Sequence, residues 1–206
     1  MDWECILKIM EEEARKRRAP ALVLKKDRDP FKILVSAILS TRTRDENTTK
    51  AVERLFSRVK GIKDLRRISE EEIAELIKDV GFYRNKAKIL KRLAESIEEI
   101  PKTLEELLKL PGVGRKVANI VLSEAFGVDT IAVDTHVHRI ANRLGIVNTK
   151  NPEETEKELE KIVPKKYWRR INKAFVGYGQ TVCKPIKPKC NECKLRDVCN
   201  YVKIKI

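Results

Sequence analysis

Four cysteines near the C-terminal end constrain this chain more than any other feature. Cys183, Cys190, Cys193 and Cys199 form C-x6-C-x2-C-x5-C within seventeen residues, whereas Cys5 stands alone near the start. Four thiols packed this closely either cross-link or share a metal, and either choice pins the loop that carries them. Two disulfides in so short a loop need favourable geometry twice, so a metal site is the first reading. Structural zinc sites usually pair two C-x2–4-C knuckles, and only Cys190 and Cys193 make one here. A cubane takes one thiolate per iron and tolerates wide, uneven spacing. Spacing therefore favours iron–sulfur and leaves zinc open. Cys5 reads as a small buried hydrophobe and not as a ligand.

Charge bounds the partner. Lys and Arg number 45 against 31 Asp and Glu, a net charge of +14. Gln180 is the only glutamine. Scarce thermolabile residues and dense Lys/Glu suit a thermophile's surface, which accounts for the density of charge but not for its imbalance. The surplus points to a polyanion, nucleic acid before membrane. The longest apolar stretches, such as residues 33–39, are too short to span a bilayer. The N-terminal residues lack a secretory h-region, so an intracellular protein of the cytoplasm or nucleoid is expected.

The patterning predicts an all-α fold. Phe31, Leu34, Val35, Ile38 and Leu39 share one helical face. Ser69 and Glu72 form a capping box, with Gly81 placed to end the helix it opens. A second periodic run covers residues 84–100 and stops at Pro101. Thr103 and Glu106 start a short helix to Leu110, and Asn151-Pro152 supplies an N-cap followed by proline at the first helical position. No run alternates with period two between hairpin turns.

Two stretches carry the chemistry. In Leu110-Pro111-Gly112-Val113-Gly114-Arg115-Lys116 a helix ends, the chain turns tightly and an apolar helix begins near Arg115. Glycines let backbone approach a ligand, and the first amides of a helix hold phosphate without reading a base; a plain αα-hairpin is the alternative. Lys116 falls in the first turn of that second helix, where the positive helix end and Arg115 disfavour an ammonium. Lowering a lysine from about 10.4 to about 7–8, as a nucleophilic amine requires, corresponds to roughly 4 kcal/mol. The apolar triplet Ile131-Ala132-Val133 then delivers Asp134 to the mouth of a helix whose buried face is Val137, Ile140, Ala141 and Leu144. Asp134 suits an N-cap, a position that also fixes the direction of its carboxylate. His136 and His138 lack metal-ligand spacing and read as structural or DNA-facing. Around the cysteines, Lys184, Lys187 and Lys189 form a basic loop, either a solvated surface or an edge that contacts phosphates.

Taken together, the hairpin, the segment AVDTHVHR and the cysteine pattern resemble the endonuclease III family of helix-hairpin-helix DNA glycosylases, over roughly residues 25 to 201. The resemblance implies two helical domains flanking a DNA-binding cleft. Residues 22–128 would form a six-helix barrel, and residues 1–21 with 129–206 a domain whose C-terminal loop holds a [4Fe-4S] cluster on Cys183, Cys190, Cys193 and Cys199. Lys116 and Asp134 would face each other across the cleft as nucleophile and carboxylate. Gly112, Val113, Gly114 and Arg115 would contact DNA, with Lys184, Lys187 and Lys189 in support. The implied partner is double-stranded DNA containing damaged bases or abasic sites, met by a monomer and with no membrane involved.

Two positions depart from the family pattern. The family usually carries glutamine at Arg42, a position that fills the gap left by a flipped base. It carries an aliphatic residue at Phe82, where an aromatic would stack on the orphaned base or else end a helix in the core. The implied activity is that of a glycosylase and lyase acting on oxidised pyrimidines. The rivals are a G:U or G:T mismatch glycosylase, whose relatives generally lack the lysine, and a non-catalytic DNA clamp.

Overall fold

The computed structural model describes residues 2–20 and 28–204. These residues are helical with no strand, as the patterning predicts. They divide into two units, residues 2–20 with 129–204 and residues 28–128; the expected boundary at residue 22 lies outside the described residues. Among them, no helix is long and apolar enough to cross a membrane.

The first unit opens with α1 (Trp3–Lys16), capped by the Asp2 side chain on the Cys5 amide. Its buried face is Trp3, Ile6, Leu7, Met10, Glu13 and Ala14. Cys5 falls on the opposite face and is exposed, which corrects its reading as a buried hydrophobe: the helical period turns it away from the apolar stripe.

The second unit is built around α2 (Pro30–Ser40), which starts at Asp29 and buries Phe31, Leu34, Val35, Ala37, Ile38 and Leu39. A helix apolar on so many sides belongs in a core. There follow α3 (Asp45–Arg58), α4 (Ile62–Arg67), α5 (Glu70–Leu76), α6 (Tyr83–Ser96), α7 (Leu104–Leu108) and α8 (Arg115–Phe126). Val117, Ala118, Val121 and Leu122 of α8 join the α2 residues in one hydrophobic cluster. Each fully buried aliphatic side chain stabilises by about 1.5–3 kcal/mol, against about 0–1 for an exposed ion pair, so this cluster dominates the unit's stability.

The capping box of Ser69 and Glu72 is present at the start of α5. That helix ends at Leu76, before Gly81, and a tight turn from Ile77 to Val80 follows. The α6 helix stops at Ser96, short of the predicted residue 100. Its last carbonyls are taken from outside the helix: Arg66 on α4 donates to Ala94 O and Ile97 O, both at 2.8 Å. A helix end satisfied in this way needs no further turn.

The first unit resumes with α9 (Thr135–Leu144), α10 (Pro152–Ile162), α11 (Trp168–Thr181) and α12 (Asn200–Lys203). Asn151 caps α10 with Pro152 at its start, as predicted. Close approach of α1 and α11 depends on Gly177, where an added Cβ would sit 2.8 Å from the Ala14 methyl. Phe175 and Tyr178 on α11 are fully buried in the unit's core.

Candidate active site and metal centre

In the second unit, α7 and α8 form the hairpin. Val113 N bonds to Leu110 O at 3.2 Å to close the turn. Gly112 has φ +73, and a Cβ there would lie 2.5 Å from Ile89 Cγ2, so both conformation and packing demand glycine. Gly114 differs: a Cβ would meet nothing within 4 Å. Its backbone is open to an approaching ligand. No side chain caps the start of α8 at Gly114. Val113 is buried, so only its backbone is available to a ligand. Arg115 and Lys116 are half-buried in the first turn of α8.

The same unit brings Arg42 and Phe82 together, with the Arg42 guanidinium 5.8 Å from the ring centroid. Both adopt left-handed backbone, at φ 51 and φ 58, which costs about 1–3 kcal/mol each and persists where the surroundings over-determine it. Phe82 is 65% exposed, so it is no core phenylalanine. Behind the pair, Lys86 on α6 is buried and bonds to the segment that carries Arg42. Sequence reading passed over Lys86, because nothing local distinguishes one lysine in a chain this basic.

In the first unit, Asp134 is the N-cap of α9, its Oδ1 accepting from the amides of His136 and Val137 at 2.9 Å. Two such bonds hold the carboxylate in one direction. The buried face of α9 is Val137, Ile140, Ala141 and Leu144, and Gly145 ends it in left-handed backbone. His138 is structural: its Nδ1 lies 2.7 Å from the Thr155 hydroxyl of α10. His136 packs against Gly179, where a Cβ would come within 2.4 Å of Nδ1, and Arg139 lies 3.1 Å from that nitrogen.

Cys183, Cys190, Cys193 and Cys199 line one cavity together with Ile140, Tyr178 and Tyr201, and none is in a disulfide. Among the described residues, no three His, Cys, Asp or Glu converge as ligands of a single ion. Polar groups reach the sulfurs. The Tyr178 hydroxyl is 3.0 Å from Cys193 Sγ, Arg143 is 3.5 Å from Cys183 Sγ, and Arg143 also donates to Lys184 O and Pro185 O. Burial pushes the Cys183 thiol up, opposed by Arg143. Burial likewise raises Tyr178, with Cys193 adding to the effect, so the phenol keeps its proton. Tyr178 and Arg143 carried no sequence signal, since only tertiary contact brings them to the cysteines. Lys184, Lys187 and Lys189 are exposed on the adjoining loop, and Lys189 lies 3.6 Å from Glu192.

Comparison with known proteins decides the family. Residues 35–165 match the model of the HhH-GPD superfamily of base excision DNA repair proteins. Endonuclease III of Thermotoga maritima is 48% identical over 181 residues, spanning 85% of this chain and 85% of that protein. The chain belongs to the endonuclease III family. Within it, a trapped covalent endonuclease III–DNA intermediate superposes with a TM-score of 0.85 at 35% identity, covering 100% of this chain and 99% of that one. A thermostable thymine-DNA glycosylase follows at a TM-score of 0.84 and 27% identity, covering 98% and 96%. For an endonuclease III family member, the sequence-predicted site residues lie in both units: Arg42, Phe82 and the hairpin with Lys116 in one, Asp134, the basic loop and the cysteines in the other.

Proposed function

We propose that this base excision repair protein is a DNA glycosylase and lyase that removes oxidised pyrimidines from duplex DNA, with Lys116 as nucleophile and Asp134 as its carboxylate partner. The observation that carries the reading is Lys116 in the first turn of α8, at an uncapped helix start opened by Gly114. Such a start disfavours an ammonium and favours a free amine. Similarity to an endonuclease III trapped covalently on DNA supports a covalent nucleophile.

The damaged nucleotide leaves the stack before reaction, at a cost of a few kcal/mol. The neutral Lys116 amine attacks C1′, the C1′–N bond breaks, and the base departs with the bonding electrons and takes up a proton. Asp134 accepts the amine proton and stabilises positive charge on the sugar as the bond breaks. The C1′–O4′ ring bond then opens, O4′ takes up a proton, and the resulting iminium acidifies C2′–H. Loss of that proton expels the 3′ phosphate by β-elimination, and water releases the lysine. Amides of Gly112, Val113, Gly114 and Arg115 hold the phosphate backbone without reading sequence, with Lys184, Lys187 and Lys189 adding charge. Arg42 and Phe82 occupy the gap beside the flipped nucleotide.

Cys183, Cys190, Cys193 and Cys199 would hold a [4Fe-4S] cluster, which when bound supplies a rigid support for the basic loop. Four unpaired thiols lining one cavity fit this group. Their uneven C-x6-C-x2-C-x5-C spacing suits one thiolate per iron better than four on one zinc. Iron and acid-labile sulfide without zinc in the purified protein is the expected analysis; zinc in their place would overturn the assignment. On this reading residues 22–128 are the barrel domain, residues 1–21 with 129–206 the cluster domain, and the protein works on the cell's own DNA.

Borohydride trapping on duplexes carrying thymine glycol or an abasic site, comparing wild type with Lys116→Gln, tests the reading. A covalent adduct that disappears in the variant is expected. No adduct from wild type, with excision of thymine from a G:T duplex, would instead indicate a monofunctional mismatch enzyme.

A further inference from the structure

Lys86 is withdrawn from solvent, at 4% exposure, and the chemistry above does not use it. Its Nζ donates to Leu39 O at 2.8 Å, Thr41 O at 2.5 Å and Thr43 Oγ1 at 2.9 Å. An ammonium has three N–H donors, and these three bonds employ all of them. Each acceptor is an uncharged oxygen. A lysine buried this deeply is ordinarily paired with a carboxylate, so its cation here is retained for what it holds in place.

What it holds is the segment presenting Arg42. The acceptors at positions 39, 41 and 43 bracket that residue. The Thr43 hydroxyl also accepts from Gly81 N at 3.1 Å and donates to Thr41 O at 3.2 Å, which fills its hydrogen-bonding capacity. Gly81 lies so near that a Cβ would be 2.5 Å from Arg42 O. Phe82, the next residue, is thereby drawn beside Arg42, and both sit in left-handed backbone. Lys86 lies one helical turn into α6, directly behind them. Removing it would take one donor from each of three oxygens, two of which keep another, and would loosen the segment that holds both strained residues.

We infer that Lys86 is a positioning residue that holds Arg42 and Phe82 in the arrangement offered to DNA, and so governs how tightly the enzyme grips a duplex opened at a lesion. The inference rests on the proposed reading of Arg42 and Phe82 as DNA contacts. Lys86 itself, being buried, acts only through them.

A double-mutant cycle decides the matter, with affinity measured for a duplex containing a tetrahydrofuran abasic analogue. Arg42→Ala and Lys86→Met should each weaken binding about tenfold, and the double variant should fall well short of a hundredfold loss, since what remains of the Lys86 effect passes through Phe82 alone. Cleavage of a single-stranded abasic oligonucleotide, which has no stack to fill, should stay at the wild-type rate in Lys86→Met. A general structural defect would lower both readouts. Independent effects that multiply to about a hundredfold, or unchanged duplex binding by Lys86→Met while Arg42→Ala binds weakly, would overturn the role of Lys86. Unchanged binding by Arg42→Ala would instead overturn the reading of that loop as a DNA contact, and the inference with it. Should Lys86→Met lose its helical circular dichroism, Thr43→Val, which removes the hydroxyl shared by Lys86, Gly81 and Thr41 with little change in volume, is read by the same criteria.

Discussion

The carboxylate of Glu13 on α1 accepts the Lys194 ammonium at 3.0 Å, from the loop between Cys193 and Cys199. Arg17 adds a second contact to Glu13 at 3.1 Å and reaches on to Glu192 at 2.8 Å. The N-terminal helix is thus joined to the loop that carries Cys190, Cys193 and Cys199. The Glu13 side chain is only 3% exposed, and Lys194, then Arg17, hold its carboxyl below the usual range despite burial, which acts in the opposite sense. Because the unfolded chain binds this proton more readily, the stability Glu13 contributes is present above about pH 4.5 and is lost as pH falls below it. We expect Glu13→Gln to cost about 1–2 kcal/mol at pH 7, a partly solvated share of a charged hydrogen bond. Its melting temperature should also fall less steeply than that of wild type below pH 4.5. Parallel pH profiles for the two proteins would show that the pair contributes nothing.

Asp134 combines a cap with a proposed chemical role, and two substitutions separate them. Asparagine caps a helix as well as aspartate does, whereas alanine at an N-cap costs about 0.5–2 kcal/mol. Asp134→Asn should therefore melt near wild type yet lose most base excision, while Asp134→Ala should lose both stability and excision. Calorimetry beside a glycosylase assay gives the answer. An asparagine variant with wild-type excision would confine Asp134 to capping.

Salt dependence tests the basic loop. Each phosphate neutralised contributes about −0.9 to the slope of log affinity against log salt. Lys184 and Lys187 are exposed, whereas Lys189 is partly engaged with Glu192. Lys184→Gln and Lys187→Gln should each flatten the slope by close to one unit, and Lys189→Gln by less. A slope unchanged in the double variant Lys184→Gln/Lys187→Gln would remove the loop from the DNA interface.

How much of this was legible in the sequence follows from the range of each interaction. Caps were readable because donor and acceptor lie two or three residues apart: Ser69 with Glu72, Asn151 with Glu154, Asp134 with His136 and Val137. The all-helical class followed from periodicity, and family membership from motifs whose order and spacing survive in linear sequence. The end of α6 was not readable, since the Arg66 guanidinium that takes its carbonyls comes from a different helix. The exposure of Cys5, by contrast, was legible, since the helical period of α1 turns it away from the apolar face that packs on α11.

The same division holds at the site. The amino-acid sequence alone determined which residues have the chemistry: an amine in a glycine turn, a carboxylate before a helix, four thiols at uneven spacing. Tertiary structure alone decided which groups stand behind them. Tyr178 and Arg143 reach the cysteines, and Lys86 spends its charge on three neutral oxygens of the Arg42 segment. The physical reason is that motif chemistry is local along the chain, whereas burial and long-range hydrogen bonding exist only once distant segments have packed together.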